Sequence, residues 1–172
     1  FWKKQYDGKH GYEILADNTV EELKHIHAVY DLAKEQGDIT DSSYEALEKR
    51  WKDENAERSE KVEKGEVIYG LKEYTFQLYL DYEISTLKEK YCNDTNREGM
   101  KLTEDEIQEH YQSREWIFGD SDENADLEMA RIAVERELRE QKYDDMITQR
   151  ETGSQVAGNM ENVNRITLKN IQ

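Results

Sequence analysis

No proline occurs among the 172 residues, there is one cysteine, and Leu, Ile, Val and Phe together supply only 33 positions, about 19%. Each shortage excludes something. Strand-rich folds and long loops normally contain proline, so its absence in a chain rich in Glu, Lys, Gln and Arg points to helices. A single cysteine, Cys92, cannot form an internal disulfide and has no CxxC partner, so it reads as a structural or idle thiol. No apolar run approaches the roughly 18 residues of a membrane helix, and no signal-peptide pattern opens the chain at Phe1. Lysine and arginine number 24 against 40 aspartates and glutamates, a net charge of −16. That field repels phosphate backbones and anionic lipid, and no basic run stands out, so neither nucleic acid nor a membrane surface is expected as a partner. Few aliphatics with so much charge is the composition of disorder. Eleven tyrosines and three tryptophans oppose that reading and argue for a folded acidic domain with an aromatic core.

Periodicity divides the chain into about five helices. Residues 1–18 read as a strand segment, with Tyr12, Ile14 and Ala16 alternating after a turn at Gly8 to Gly11. Thr19 and Glu22 have capping-box spacing ahead of Leu23, Ile26, Tyr30 and Ala33, and Gly37 closes that helix. Ser42 and Glu45 repeat the signature for a second helix carrying Tyr44, Leu47, Trp51, Arg58 and Val62, ended by Gly65. Asn55 and Arg58 sit on or beside its apolar face, which requires either partners in the fold or a wet helix end. A long central helix over residues 72–91 bears two apolar stripes, so it is buried between neighbours or offers a face to another molecule. Thr103 and Glu106 open a fourth helix, closed by Trp116, Ile117 and Phe118. The longest helix covers residues 123–151, with Leu127, Ala130, Val134 and Leu138 on one face, and residues 156–171 read as a turn and a strand.

Chemistry is sparse. His25 and His27 lie about 200° apart on a helix and cannot share an ion. Asp120, Asp122, Asn124 and Asp126 copy the first half of an EF-hand loop, but Ala125 replaces the sixth-position glycine and Arg131 the bidentate glutamate, so acidic capping of a helix start explains them better than calcium. There is no nucleophile elbow and no phosphate-cradling glycine loop, and no cofactor or enzymatic activity is expected. Large aromatics remain. Trp51, Tyr74, Phe76, Tyr79, Tyr82, Tyr111 and Trp116 exceed what thin helices need for a core, and aromatics line protein-binding clefts, so these seven are the candidate peptide-binding residues.

Two stretches resemble a known family. Gly37-Asp38-Ile39-Thr40-Asp41, Tyr44-Glu45-Ala46-Leu47, Trp51, Glu54-Asn55, Arg58 and Gly65-Glu66-Val67-Ile68-Tyr69-Gly70-Leu71 are similar to the N-terminal helical segment of SurA/PrsA-type extracytoplasmic foldases, of the trigger factor/SurA peptide-binding kind. The run from Lys101 to Tyr111 resembles the threonine-capped helix that leads into their parvulin domain, and residues 131–149 resemble the return helix behind it. About ten residues join Trp116 to Leu127 where the isomerases carry a whole domain, so the prolyl isomerase site is absent. The resemblance, over residues 37–171, implies a chaperone module outside the cytoplasm, often lipoprotein-anchored, tethered through a removed N-terminal segment.

The resulting expectation is a mainly α single domain, with one long central and one long C-terminal helix and short terminal strands placed to pair. Its parts are a strand segment (1–18), a helical segment (19–118), a short link in place of the parvulin domain (119–126), and a return helix with a C-terminal strand (127–172). The expected partners are unfolded or extended polypeptide segments, with no metal and no catalysis, and homo-oligomer formation left open. The alternative is a helical adaptor that holds one specific protein partner.

Overall fold

The computed structural model describes residues 1–119, 123–154 and 159–171 and is mainly helical. In chain order it contains β1 (Gln5–Tyr6), β2 (Lys9–His10), α1 (Gly11–Glu35), α2 (Tyr44–Glu63), α3 (Phe76–Asn93), α4 (Glu104–Gln112), α5 (Leu127–Gly153) and α6 (Met160–Asn170). The chain forms two compact units, one of Phe1–Ile39 with Ile147–Gln172 and one of Thr40–Met146.

In the first unit α1 packs against α6. Two expectations fail here. Residues 11–18 are helix, not strand, because Ala16 and Val20 are buried at a spacing of four, which outweighs a three-residue alternation. Thr19 is therefore interior to α1, where its hydroxyl donates to the Leu15 carbonyl, and the helix starts instead where the His10 N–H donates to the Glu13 carboxylate at 2.7 Å. The expected C-terminal strand is α6, opened by Asn159, whose side chain accepts from the Glu161 N–H. Its less exposed positions, 163, 164, 167, 168 and 171, have helical spacing, and the contiguous Ile166-Thr167-Leu168 hides that period in the sequence. The two strands accordingly pair with each other in an antiparallel hairpin, turned at Asp7 and Gly8, which both have positive φ. They do not join the two ends of the chain.

In the second unit the Thr103–Glu106 capping box forms as read. The Thr103 hydroxyl accepts from the Glu106 N–H, and the Glu106 carboxylate accepts from the Thr103 N–H at 2.8 Å. α2 is capped by Ser43 instead of Ser42. α3 starts at Phe76, later than expected, since both polar groups of the Tyr74 backbone are engaged by α2 side chains. α4 ends at Gln112, and residues 116–118 form a pinned loop in which the Trp116 carbonyl accepts from the Ala125 N–H at 2.8 Å. Ile107, Trp116, Ala130 and Val134 form the buried cluster beneath it, flanked by Leu102, Tyr111, Ala125, Leu127 and Ala133. Of the EF-hand-like residues, Asp120 and Asp122 lie outside the described residues, as does Val156 of the expected tail. Asn124 accepts from the Trp116 N–H, and Asp126 accepts from the Met129 N–H at the start of α5.

The Glu106 carboxyl is held down to about 2 from an ordinary 4.5, first by the Lys142 ammonium and then by the Thr103 N–H and hydroxyl. Arg150 lowers Glu35 and Arg131 lowers Glu104 in the same sense. A depressed folded pKa gives stability that is complete above the unfolded value and lost as pH falls through the folded one. The urea midpoint is therefore expected to drop between about pH 4.5 and 2, with Glu106→Gln flattening part of that drop. Thr103→Ala should cost about 1 kcal/mol at neutral pH, the usual size of a lost cap.

Candidate protein-binding surface

α2 is polar around most of its circumference, with Leu47 its one fully buried residue among those described. It is supported by ion pairs one turn apart, including Lys52–Glu48, Lys61–Glu57 and Lys64–Glu60. Lys49 pairs one turn on with Asp53 in the same way. What α2 contributes to the surface is a row of donors. Trp51 Nε1 and Asn55 Nδ2 both donate to the Tyr74 carbonyl, at 2.8 and 2.9 Å, and Asn55 Oδ1 accepts from the Tyr74 N–H at 2.8 Å. One turn on, the Arg58 guanidinium donates to the carbonyls of Tyr69 and Leu71 and to the Tyr74 hydroxyl, and lies 4.5 Å from the centre of the Tyr74 ring. The two polar residues on the apolar face thus have their partners in the fold, and those partners are the backbone of the loop between α2 and α3.

Behind the loop Arg50 forks onto Glu83, Nε to Oε1 at 2.7 Å and Nη2 to Oε2 at 3.1 Å. The Tyr79 hydroxyl donates to the same carboxylate at 2.8 Å. Glu83 is buried, and burial followed by its hydrogen bond to Glu83 raises the Tyr79 pKa. This triad anchors α3 on α2.

Five of the seven sequence-predicted aromatics meet here. Trp51 packs edge-on to Phe76 at 5.5 Å, Tyr74 stacks on Tyr82 at 5.2 Å, and Tyr79 contacts both Tyr74 and Tyr82. Tyr111 and Trp116 belong to the separate cluster under α4 and α5, where the Tyr111 hydroxyl donates to the Ala125 carbonyl and Trp116 Nε1 to the Tyr111 carbonyl. Tyr79 and Trp116 are buried, Trp51, Tyr74, Phe76 and Tyr111 are half-buried, and Tyr82 is exposed. Most of the set therefore builds the surface instead of presenting it.

The exposed apolar groups are others. The loop between α2 and α3 displays Val67 and Tyr69, 80% and 86% exposed, with Leu71 beside them. On α5, Met129 and Ile132 are 70% and 85% exposed, and with Phe118, Ala133 and Arg136 they line a shallow groove of about 340 Å³. Ile117 is also exposed, next to Trp116 and the Arg114 guanidinium, which lies 4.1 Å from a Trp116 ring centroid. Ile132 and Met129 fall outside the Leu127–Ala130–Val134 stripe, and large apolar residues off the core stripe are the sequence signal that marks them. A second groove, of about 610 Å³, runs between α3 and α5 past Lys88, Cys92, Ile132 and Arg139. Among the described residues no group of three or more His, Cys, Asp or Glu side chains is placed to hold a metal.

No family model matches the chain. Over 149 residues it is 31% identical to a chaperone for lacto-N-biosidase from Bifidobacterium longum subsp. longum, an alignment covering 87% of this chain and 53% of that protein. The chain spans about half the length of that relative. In fold it is similar to part of the crystal structure of a GH136 lacto-N-biosidase from Eubacterium ramulus, with a TM-score of 0.65 and 19% identity, over 84% of this chain and 29% of that one. The helical arrangement is thus one already seen in a solved protein.

Two measurements check this geometry. Arg50→Ala should destabilise the second unit by about 2–4 kcal/mol, most of it the cost of leaving Glu83 buried without its partner. Replacing both, as Arg50→Met with Glu83→Leu, should recover much of that loss in the same urea titration. Burial pushes the Cys92 thiol up to about 11, and its Sγ lies 3.8 Å from the Arg139 carbonyl. A disulfide reagent at mildly alkaline pH should therefore modify it only at the rate of local opening, and fast, stoichiometric labelling of the native chain would contradict its burial.

Proposed function

We propose that this chain is a dedicated folding helper that holds one specific protein partner, a glycoside hydrolase of the lacto-N-biosidase type, through the apolar surface of its second unit. The observation that carries the reading is the 31% identity to a chaperone for lacto-N-biosidase across 87% of the chain. That relative is named for a single enzyme, which supports the one-partner reading over broad capture of unfolded or extended segments. The similar fold within a lacto-N-biosidase chain, where it makes up 29% of the length, supports placing these helices beside the rest of such an enzyme. The extracytoplasmic setting implied by the foldase resemblance is part of the proposal.

The surface suits the role physically. Tyr69 and Leu71 are displayed on a backbone already held by Arg58, with Tyr74 held by Asn55 and Trp51, so little ordering cost remains there at binding. Met129, Ile132 and Phe118 add a second exposed apolar patch with Arg136 at its edge, the composition of an interface centre.

Refolding a denatured lacto-N-biosidase with and without this chain tests the proposal. Active yield is expected to rise and to saturate at stoichiometric amounts, and Met129→Glu with Ile132→Glu to lower the effect about tenfold or more, as loss of interface hot spots of over ~1 kcal/mol each would. An unchanged yield would sink the reading. Equal help to unrelated unfolded proteins would replace it with the broad chaperone.

A further inference from the structure

The chain contains four methionines, and their surroundings set one apart. Met100 is fully buried, at 0% exposure. Met146 is half-buried, and the Tyr91 hydroxyl donates to its Sδ at 3.5 Å, which engages a lone pair of the sulfur. Met160 is half-buried at the start of α6 in the first unit. Met129 stands open at 70% exposure. The remaining sulfur, that of Cys92, is closed to oxidants at neutral pH, because burial keeps it a thiol and the reactive form is the thiolate.

Met129 lies in the first turn of α5, where its N–H donates to the Asp126 carboxylate at 2.9 Å. Its side chain is off the Ala130–Val134 stripe that holds α5 on the core, and it lines the groove of about 340 Å³ with Phe118, Ile132, Ala133 and Arg136. A change confined to that side chain therefore alters the groove and leaves the helix packing in place. A thioether is apolar and polarizable, whereas a sulfoxide oxygen is a strong acceptor that an apolar surface covers only at a cost. We propose that Met129 is a peroxide-reactive modification site, whose oxidation to the sulfoxide turns the groove polar and closes it to an apolar partner surface. The consequence for the partner rests on the folding-helper reading above. In the step itself a lone pair of Met129 Sδ attacks one oxygen of hydrogen peroxide and the O–O bond breaks. The proton left on the transferred oxygen passes to the departing hydroxide, which leaves as water; sulfur is oxidised and peroxide reduced, by one electron pair. Methionine sulfoxide reductases reverse this product, so the site can be reset.

The test exposes the full folded chain to hydrogen peroxide at neutral pH and follows each methionine by peptide mass spectrometry. Met129 is expected to gain oxygen about tenfold faster than Met100 or Met146 and ahead of Met160, with Cys92 unchanged, since susceptibility follows exposure. Retention on a phenyl matrix should fall on oxidation and return after treatment with methionine sulfoxide reductase and dithiothreitol. Met129→Leu should show no such change. Far-ultraviolet circular dichroism should stay constant throughout, which separates a change of surface from unfolding. In the refolding assay oxidation should lower the help given by the native chain about tenfold, the size expected of one polar group buried without a partner. Met129→Leu, whatever its starting level, should lose none of its help on the same treatment. Oxidation of Met100 or Met146 as fast as Met129, retention indifferent to the sulfoxide, a Met129→Leu chain that responds like the native one, or undiminished help from the oxidised chain would each overturn the proposal. Mass and retention involve no glycosidase, so a chain that gives no help before oxidation sinks the refolding reading alone, and those two readouts still decide this one.

Discussion

Three side chains on one helix hold the far half of the loop that follows it. The segment between α2 and α3 lacks proline, buries little and pairs with no strand among the described residues, so its backbone groups need partners from elsewhere. Asn55 takes both polar groups of Tyr74, Trp51 shares the Tyr74 carbonyl, and Arg58 closes on the carbonyls of Tyr69 and Leu71. The start of α3, the stacking of Tyr74 on Tyr82 and the outward display of Val67 and Tyr69 all depend on those bonds. The Arg50–Glu83–Tyr79 triad does the complementary task, tying α3 to α2 through charge where aliphatic area is scarce. A chain with only about a fifth of its residues in Leu, Ile, Val and Phe builds its scaffold from directional bonds.

That choice explains what was readable in the sequence. Local signals read correctly: the Thr103–Glu106 box, the ends of α1 and α2 at Gly37 and Gly65, and the mainly α class follow from neighbours a few residues apart. Asn55 and Arg58 were visible as polar residues on an apolar face, although their partners, 11 to 19 residues away, were not. The start of α1 is hidden in the sequence because His10 is an unusual residue at a helix start and the strand-like alternation of Tyr12, Ile14 and Ala16 is too short to decide. Three contiguous residues, Ile166 to Leu168, mask the period of α6. Of the aromatic candidates, spacing could not reveal which were covered, since burial of Tyr79 and Trp116 is decided by residues far along the chain.

The two apolar displays differ in construction. Val67 and Tyr69 stand on a loop braced from behind by α2, while Met129 and Ile132 stand on α5, whose other face is fixed by Ala130 and Val134. Both are rigidly mounted. A helper that recognises one partner benefits from such mounting, whereas capture of many unrelated segments favours surfaces that adapt. The likeness to a chaperone named for a single enzyme and this rigidity point the same way.

The lack of proline acquires a further meaning beside these short, capped connections. Uncatalysed prolyl isomerisation takes tens of seconds, and nothing in this chain must wait for it; helices closed by local bonds assemble far sooner. A helper has to be in shape before its client is. Under the proposed role, the composition that keeps the chain helical also lets it arrive first.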